Sequence, residues 1–186
     1  MKIDIFNHLF PQAFFDKYIE NGLPDIGKRV KAMPTIVNLD ARFKVMDEFG
    51  DYCQVISLPA PTIEALGGPN ESPDIAKLAN DGMAELCQKY PQRFPAFIAS
   101  LPMNNPEATV KEAVRAIDTL GASGVQIYTN VNGAPLDGPE LAEFFRLDGG
   151  TRDRHLDASG ARRKHAGLQD GREIEIRNLV DVRLAV

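Results

Sequence analysis

Residues 94–130 read FPAFIASLPMNNPEATVKEAVRAIDTLGASGVQIYTN and contain a complete strand–helix–strand unit. The short apolar run at 94–102 predicts a buried strand, and 106–120 a helix. The apolar positions of this helix recur at helical spacing: Val110, Val114 and Ile117. Glycines at 121–124 then turn the chain into a second strand at 124–130. Because the connection is too long for a hairpin, the two strands are predicted to be parallel.

The same alternation extends towards both ends of the chain. The remaining predicted elements are strands at 2–6 and 52–61 and helices at 11–20, 41–50, 72–91 and 139–147. Four β/α units indicate an α/β fold, either a doubly wound sheet or the N-terminal half of a TIM-like (β/α)₈ barrel. A complete barrel needs roughly 250 residues, and the chain has 186. The turn after the first strand, NHLFP at 7–11, has no glycine, which argues against a dinucleotide site.

Composition excludes several functional classes. A net charge of −5 gives no basic footprint, so no nucleic-acid partner is expected. No apolar run is long enough to span a membrane, and the N-terminus lacks a signal-peptide pattern. The only cysteines, Cys53 and Cys87, are expected to pack as small apolar residues in a reducing compartment. These features predict a cytoplasmic protein.

The residues that could carry chemistry are expected where the strands end, because parallel α/β folds place their sites there. Asp4, Phe6 and His8 are predicted to share one face of the first strand, since strand periodicity is two. A neutral imidazole at this position could bind a metal. A polar residue that simply ends the strand is the alternative. His155 and His165 lie in segments without a strand or helix pattern and are not predicted ligands.

Three stretches resemble one known family: MKIDIFNHLFP at 1–11, ARFKVMDEFGDYCQVISLP at 41–59 and SGVQIYTNVNG at 123–133. They are similar to the amidohydrolase-related (amidohydrolase 2) family, which includes aminocarboxymuconate-semialdehyde and resorcylate decarboxylases. The resemblance covers about residues 1–147. It implies a TIM-like barrel, a catalytic divalent metal, with zinc favoured, and a small carboxylated substrate. The implied reaction is hydrolysis or non-oxidative decarboxylation.

The resemblance also implies roles for individual residues. His8 carries over as a metal ligand, but Phe6 stands where the family has the first ligand of a pair. Arg42 matches an arginine that can face the substrate carboxylate, with a structural helix arginine as the alternative. Asn7 and Tyr128 are implied to line the substrate pocket, or else to end their strands. With one ligand left, the chain is predicted to be inactive as written and to lack a complete metal site.

Residues 148–186 differ in composition from the preceding part of the chain. They contain no aromatic residue and no proline. Several codons encode most amino acids, so the DNA behind residues 148–186 can be written in many ways. Some of these DNA sequences, read in a frame that starts at the second base of the Asp148 codon, encode a strand ending in His-Pro followed by a tryptophan-rich segment. We therefore interpret 1–147 as the half-barrel and 148–186 as an out-of-frame, poorly structured tail of a truncated protein. A native tail of mixed charge is the alternative.

Two other functional hypotheses remain open at this point. The chain could be a non-catalytic binding or assembly module derived from the same fold, in which case it should ignore metal. It could also be a small doubly wound protein, if the tail supplied an ordered edge strand. In the half-barrel interpretation the sheet edges are exposed, which predicts self-association.

Overall fold

The computed structural model describes residues 1–20, 22–128, 130–142, 144–145 and 181–183. The predicted tail lies outside this described part, apart from three residues at 181–183, and so do His155 and His165. Within the described part, no helix combines the length and apolarity needed to cross a membrane.

A five-stranded parallel sheet forms the centre of the described chain. In spatial order its strands are β1 (Lys2–His8), β2 (Tyr52–Ser57), β3 (Ala96–Ser100), β4 (Gly124–Tyr128) and β5 (Asp181–Arg183). Spatial order follows chain order throughout the described sheet, whereas a doubly wound sheet reverses its order near the middle. Right-handed crossovers between such strands place all the helices on one face. This arrangement confirms the half of a TIM-like barrel and excludes the doubly wound alternative.

The helices fill the connections between the strands. They are α1 (Gln12–Phe14, continued by π-helical turns at Phe15–Glu20), α2 (Pro24–Lys31), α3 (Leu39–Asp47), α4 (Ile63–Leu66), α5 (Ser72–Lys89) and α6 (Pro106–Val114, continued by π-helical turns at Arg115–Thr119). The helix predicted at 41–50 begins earlier, because the Asn38 Oδ1 accepts the Ala41 N–H at 3.0 Å. Helix α2 was not predicted, since only Gly27 and Val30 of its residues are buried.

The two faces of the sheet pack differently. Alternate residues such as Ile56, Phe97 and Ile127 are buried in the main core together with helix residues that include Met46 and Met83. The opposite, concave face carries a separate apolar cluster. Its members are Val55, Ala96 and Ile98, with Ile3 packed against them. The concave face of the sheet is the one that a (β/α)₈ barrel turns towards its axis.

The first strand contains an irregularity that sequence periodicity did not predict. Asp4 pairs with Gln54, but His8 pairs with Ser57, so four steps along β1 match three along β2. The extra residue is a β-bulge, and it exchanges the two faces of the strand beyond it. The prediction that Asp4 and His8 share a face is therefore wrong. Asp4 lies with Gln54 on the helix side, and His8 lies with Ser57 on the concave side.

A buried amide joins the helical layer to the end of β3. Asn80 of α5 is 0% exposed, and its Oδ1 accepts the Ser100 N–H at 2.9 Å. Its Nδ2 donates to the Ser100 carbonyl at 2.9 Å and to Glu112 Oε1 at 2.7 Å. Arg115 Nε in turn donates to Glu112 Oε2 at 2.8 Å. Asn80 thus satisfies both backbone groups of the residue at which β3 ends.

Candidate functional site

The ends of the parallel strands bring five polar side chains to one face of the sheet. His8 is in register with Ser57, and Ser100 is in register with Gln126. Tyr128 lies two residues beyond Gln126 and therefore on the same face. Val55 and Ala96 are paired and lie on the concave face. Ser57 is two residues beyond Val55 and Ser100 is four beyond Ala96, so both also point to the concave side. The carboxyl ends of parallel strands carry the site in such folds.

His8 is held by its neighbour on β2. The His8 Nδ1 lies 2.7 Å from Ser57 Oγ, and the Ser57 hydroxyl donates to the carbonyl of Asn7 at 3.2 Å. Ser57 is 7% exposed, so little water competes for its hydroxyl. The ring of Phe6 meets the His8 ring edge-on, with 4.9 Å between centroids. Phe6 thus provides an aromatic contact at the position where the resemblance places a first metal ligand.

Arg42 is buried and donates three hydrogen bonds to the protein. Its Nε donates to the Thr35 carbonyl at 2.8 Å and one terminal nitrogen to Gln54 Oε1 at 2.5 Å. The other terminal nitrogen donates to the backbone carbonyl of His8. Burial lowers the pKa of the Arg42 guanidinium from its ordinary value. In the described structure Arg42 ties α3 to the end of β1; its contact with a substrate stays a prediction.

Asn7 lies on the other side of the sheet from His8. It pairs with Ile56, which belongs to the core beneath the helices. Here Asp4 accepts a hydrogen bond from the Tyr52 hydroxyl at 2.8 Å. The pKa of the Asp4 carboxyl is lowered overall, although burial by itself raises it. The lowering comes from four neighbouring groups: the Phe6 N–H, the Tyr52 hydroxyl, the Asn7 amide and the Arg42 charge. The structure therefore places Asn7 beside Asp4, whereas Tyr128 shares the concave face with His8.

Tyr128 lines a small pocket between the ends of β2, β3 and β4. Its hydroxyl accepts a hydrogen bond from Gln126 Nε2 at 2.6 Å. The pocket is lined mainly by the loop after β2 and by Ser100, Leu101, Met103, Gln126 and Tyr128. It has room for about one water molecule. Both polar and apolar side chains therefore line the pocket at the carboxyl ends of the strands.

Glu64 is a pocket residue that sequence reasoning missed. It lies on α4, just after the proline-rich turn that follows β2, and its exposed fraction is 8%. Burial raises the pKa of its carboxyl above 4.5, although its own N–H and Thr62 partly oppose this. A buried acidic residue beside the strand ends is a feature of functional sites as well as of packed loops. The only sequence signal was one acidic residue within the apolar stretch LPAPTIEAL at 58–66.

Replacing Glu64 by glutamine is expected to stabilise the protein at neutral pH. The pKa of Glu64 is raised in the folded state from its ordinary value of 4.5. The neutral carboxyl therefore contributes fully to stability below pH 4.5, and this contribution is lost as the pH rises through the folded-state pKa. The glutamine variant avoids this loss. Urea unfolding should therefore show the largest difference from the wild type near pH 7 and none in acid. Glu48→Gln, at an exposed position, is the control, and parallel pH profiles of Glu64→Gln and the wild type would contradict the prediction.

A metal centre requires more ligands than the described residues bring together. Within the described ranges, no group of three His, Cys, Asp or Glu side chains could hold a metal ion. Of the histidines in the chain, the described ranges include His8, which offers one imidazole at the strand ends, whereas a catalytic zinc uses about three protein ligands. The cysteines do not change this: burial raises the pKa of the Cys87 thiol to about 12. The described residues therefore supply one ligand for a metal ion, and not a complete metal site.

Comparison with known proteins identifies the family. The amidohydrolase family profile matches residues 4–157, which is most of the chain. The chain belongs to the amidohydrolase family. Gamma-resorcylate decarboxylase of Rhodococcus jostii (strain RHA1) is 36% identical to it over 108 residues, covering 58% of this chain and 32% of that protein. The 2-amino-3-carboxymuconate-6-semialdehyde decarboxylase of Dictyostelium discoideum is 34% identical over 106 residues, covering 57% and 29%.

A solved structure of a decarboxylase shares the fold. Dihydroxybenzoic acid decarboxylase from Polaromonas sp. JS666, which contains manganese and the inhibitor 2-nitroresorcinol, matches with a TM-score of 0.60 and 26% identity. The match covers 80% of this chain and 46% of that one. The chain thus spans about a third of the length of the two curated relatives and just under half of this structure. The family resemblance seen in the sequence is confirmed.

Proposed function

We propose that residues 1–147 supply the first half of the active site of a metal-dependent, non-oxidative decarboxylase. The proposed substrate is a small hydroxylated aromatic carboxylate. The observation that carries this proposal is the similarity to gamma-resorcylate decarboxylase, together with a histidine held at the end of β1 in the described structure. The similarity of the chain to decarboxylases favours an enzyme over the non-catalytic binding module.

His8 is the residue that we propose to hold the metal. A bound divalent cation supplies Lewis-acid stabilisation of negative charge on a substrate oxygen. Zinc stays a prediction, and the manganese in the Polaromonas structure makes Mn²⁺ the better first probe. Ser57 orients the imidazole, and the Phe6 ring packs edge-on against it.

Tyr128 is the best placed of the three proposed substrate contacts. It shares the concave face with His8 and lines the pocket at the strand ends. Arg42 is proposed to act on the substrate chiefly through the end of β1, because it donates to the backbone carbonyl of His8. Asn7 is proposed to act through Asp4, which it adjoins. The proposed out-of-frame tail at 148–186 and self-association through the sheet edges stay predictions.

Mn²⁺ binding tests the role of His8 directly. Titration of the full chain, followed by the electron paramagnetic resonance signal of free Mn²⁺, should show a weak site, since one described ligand is present. His8→Ala should weaken this site at least about tenfold, whereas His155→Ala should leave it unchanged. Equal affinities of the wild type and His8→Ala would contradict the proposed ligand. No uptake of Mn²⁺ by the wild type would favour the binding module.

The reaction itself is tested by completing the barrel. The chain alone is expected to release no CO₂ from gamma-resorcylate. Residues 1–147 joined to the C-terminal half of the Rhodococcus jostii relative should release CO₂ in the presence of Mn²⁺ and lose this activity on His8→Ala. A folded chimera that binds Mn²⁺ without releasing CO₂ would contradict decarboxylation. Release of CO₂ by the chain alone would show that its own residues complete the site.

A further inference from the structure

Three atoms at the ends of β1 and β2 form one hydrogen-bonded series. His8 Nδ1 lies 2.7 Å from Ser57 Oγ, and Ser57 Oγ lies 3.2 Å from the Asn7 carbonyl oxygen. The serine is 7% exposed, so its hydroxyl is largely restricted to these two partners. The order of protons along this series determines which nitrogen of His8 carries a hydrogen.

The proton order follows from what each group can do. A backbone carbonyl only accepts, so the single hydroxyl hydrogen of Ser57 is directed to Asn7. The Ser57 oxygen must then accept its second bond, and the donor is His8 Nδ1–H. A neutral imidazole carries one ring hydrogen. With that hydrogen on Nδ1, the lone pair lies on Nε2.

We propose that Ser57 is a positioning residue that holds His8 in its Nδ1–H tautomer and makes Nε2 the metal-binding nitrogen. This inference rests on the proposed function, in which His8 is a metal ligand. Metal-binding histidines are commonly oriented by a hydrogen bond from their other ring nitrogen to a neighbouring acceptor. A serine hydroxyl can take this role here because its own hydrogen is committed to the Asn7 carbonyl.

The β-bulge of β1 makes this contact possible. Without the extra residue between Asp4 and Asn7, His8 would face the helices and could not reach Ser57. With the extra residue, Ser57 lies directly opposite His8 in the register. Ser100, on the next strand, lies at the same face and depth, also 7% exposed, but has no contact with His8 among the hydrogen bonds described. It therefore provides a matched control.

The test is the tautomer of His8 in the full, metal-free chain. Nitrogen-15 NMR distinguishes protonated from unprotonated ring nitrogens at mildly alkaline pH, where imidazoles are neutral. The chain has three histidines, so His155→Gln and His165→Gln assign the His8 signals. We expect Nδ1 to be protonated and Nε2 not to be. A wild-type His8 protonated mainly on Nε2 overturns the proposal, whatever the behaviour of the variants.

Three serine variants separate positioning from packing. Ser57→Ala should shift His8 towards the Nε2–H tautomer, whereas Ser57→Thr, which keeps the hydroxyl, should retain Nδ1–H. Ser100→Ala should leave the tautomer of His8 unchanged. A Ser57→Ala chain that keeps Nδ1–H overturns the proposal. Since neither metal nor substrate is present, this result is independent of the Mn²⁺ titration and of the CO₂ assay, which test the proposed function.

Discussion

Replacing Asn80 by alanine is expected to lower the free energy of unfolding by about 4 kcal/mol, the largest effect among our predictions. The Asn80 side chain is fully buried and satisfies both the N–H and the carbonyl of Ser100. Alanine leaves these two backbone groups without partners in a region that water does not reach. Each buried polar group without a partner costs about 1–3 kcal/mol.

The Asn80→Ala variant also affects the helical layer. Glu112 is 4% exposed, and it loses the Asn80 donor while keeping Arg115. Urea unfolding of the variant and the wild type measures the difference. Asn70→Ala, at an exposed position, should change stability by no more than about 0.5 kcal/mol. Equal losses of unfolding free energy for Asn80→Ala and Asn70→Ala would show that the hydrogen bonds of Asn80 to Ser100 do not stabilise the end of β3.

Replacing Arg42 by methionine should cost about 3 kcal/mol. Methionine fills a similar volume but leaves the carbonyls of His8 and Thr35 and the amide of Gln54 without their donor. Arg42→Lys should lose about 2 kcal/mol, because a single ammonium cannot reproduce the three divergent bonds of the guanidinium. Some of the cost of Arg42→Met is offset, since removing a buried charge relieves its desolvation.

Thermal or urea unfolding of both Arg42 variants tests this expectation, with Arg29→Met as the control. Arg29 is an exposed residue of α2, so its replacement should have little effect. A loss below about 1 kcal/mol for Arg42→Met would contradict the structural role of Arg42. Its charge would then be better explained by the substrate contact that the family resemblance implied.

The four β/α units could be predicted because their signals are local. Apolar runs, prolines in first helical turns and glycines at helix ends can be recognised in short windows of sequence. Ser72-Pro73 marks the start of α5, and 106–120 contains α6 and its π-helical end. A resemblance of three stretches was sufficient for the family, because each stretch retains the pattern of a strand end.

The geometry of the candidate site could not be predicted, because it depends on pairing between distant segments. The bulge in β1 is defined only by its register with β2, so alternation within 2–8 suggested the wrong face for Asp4. The contact between Ser57 and His8 joins residues 49 positions apart. Asn80 did leave a signal: its spacing from Ala76 and Ala84 places a polar side chain on the apolar stripe of α5.

The bulge in β1 makes the number of residues in that strand as important as their identity. Removing one residue between Asp4 and Asn7 would leave every candidate side chain of the strand intact and still turn His8 into the helical layer. An alignment that scores only matched residues would miss such a loss. In this half-barrel, a deletion of one codon can therefore abolish the proposed ligand as completely as a substitution of the histidine itself.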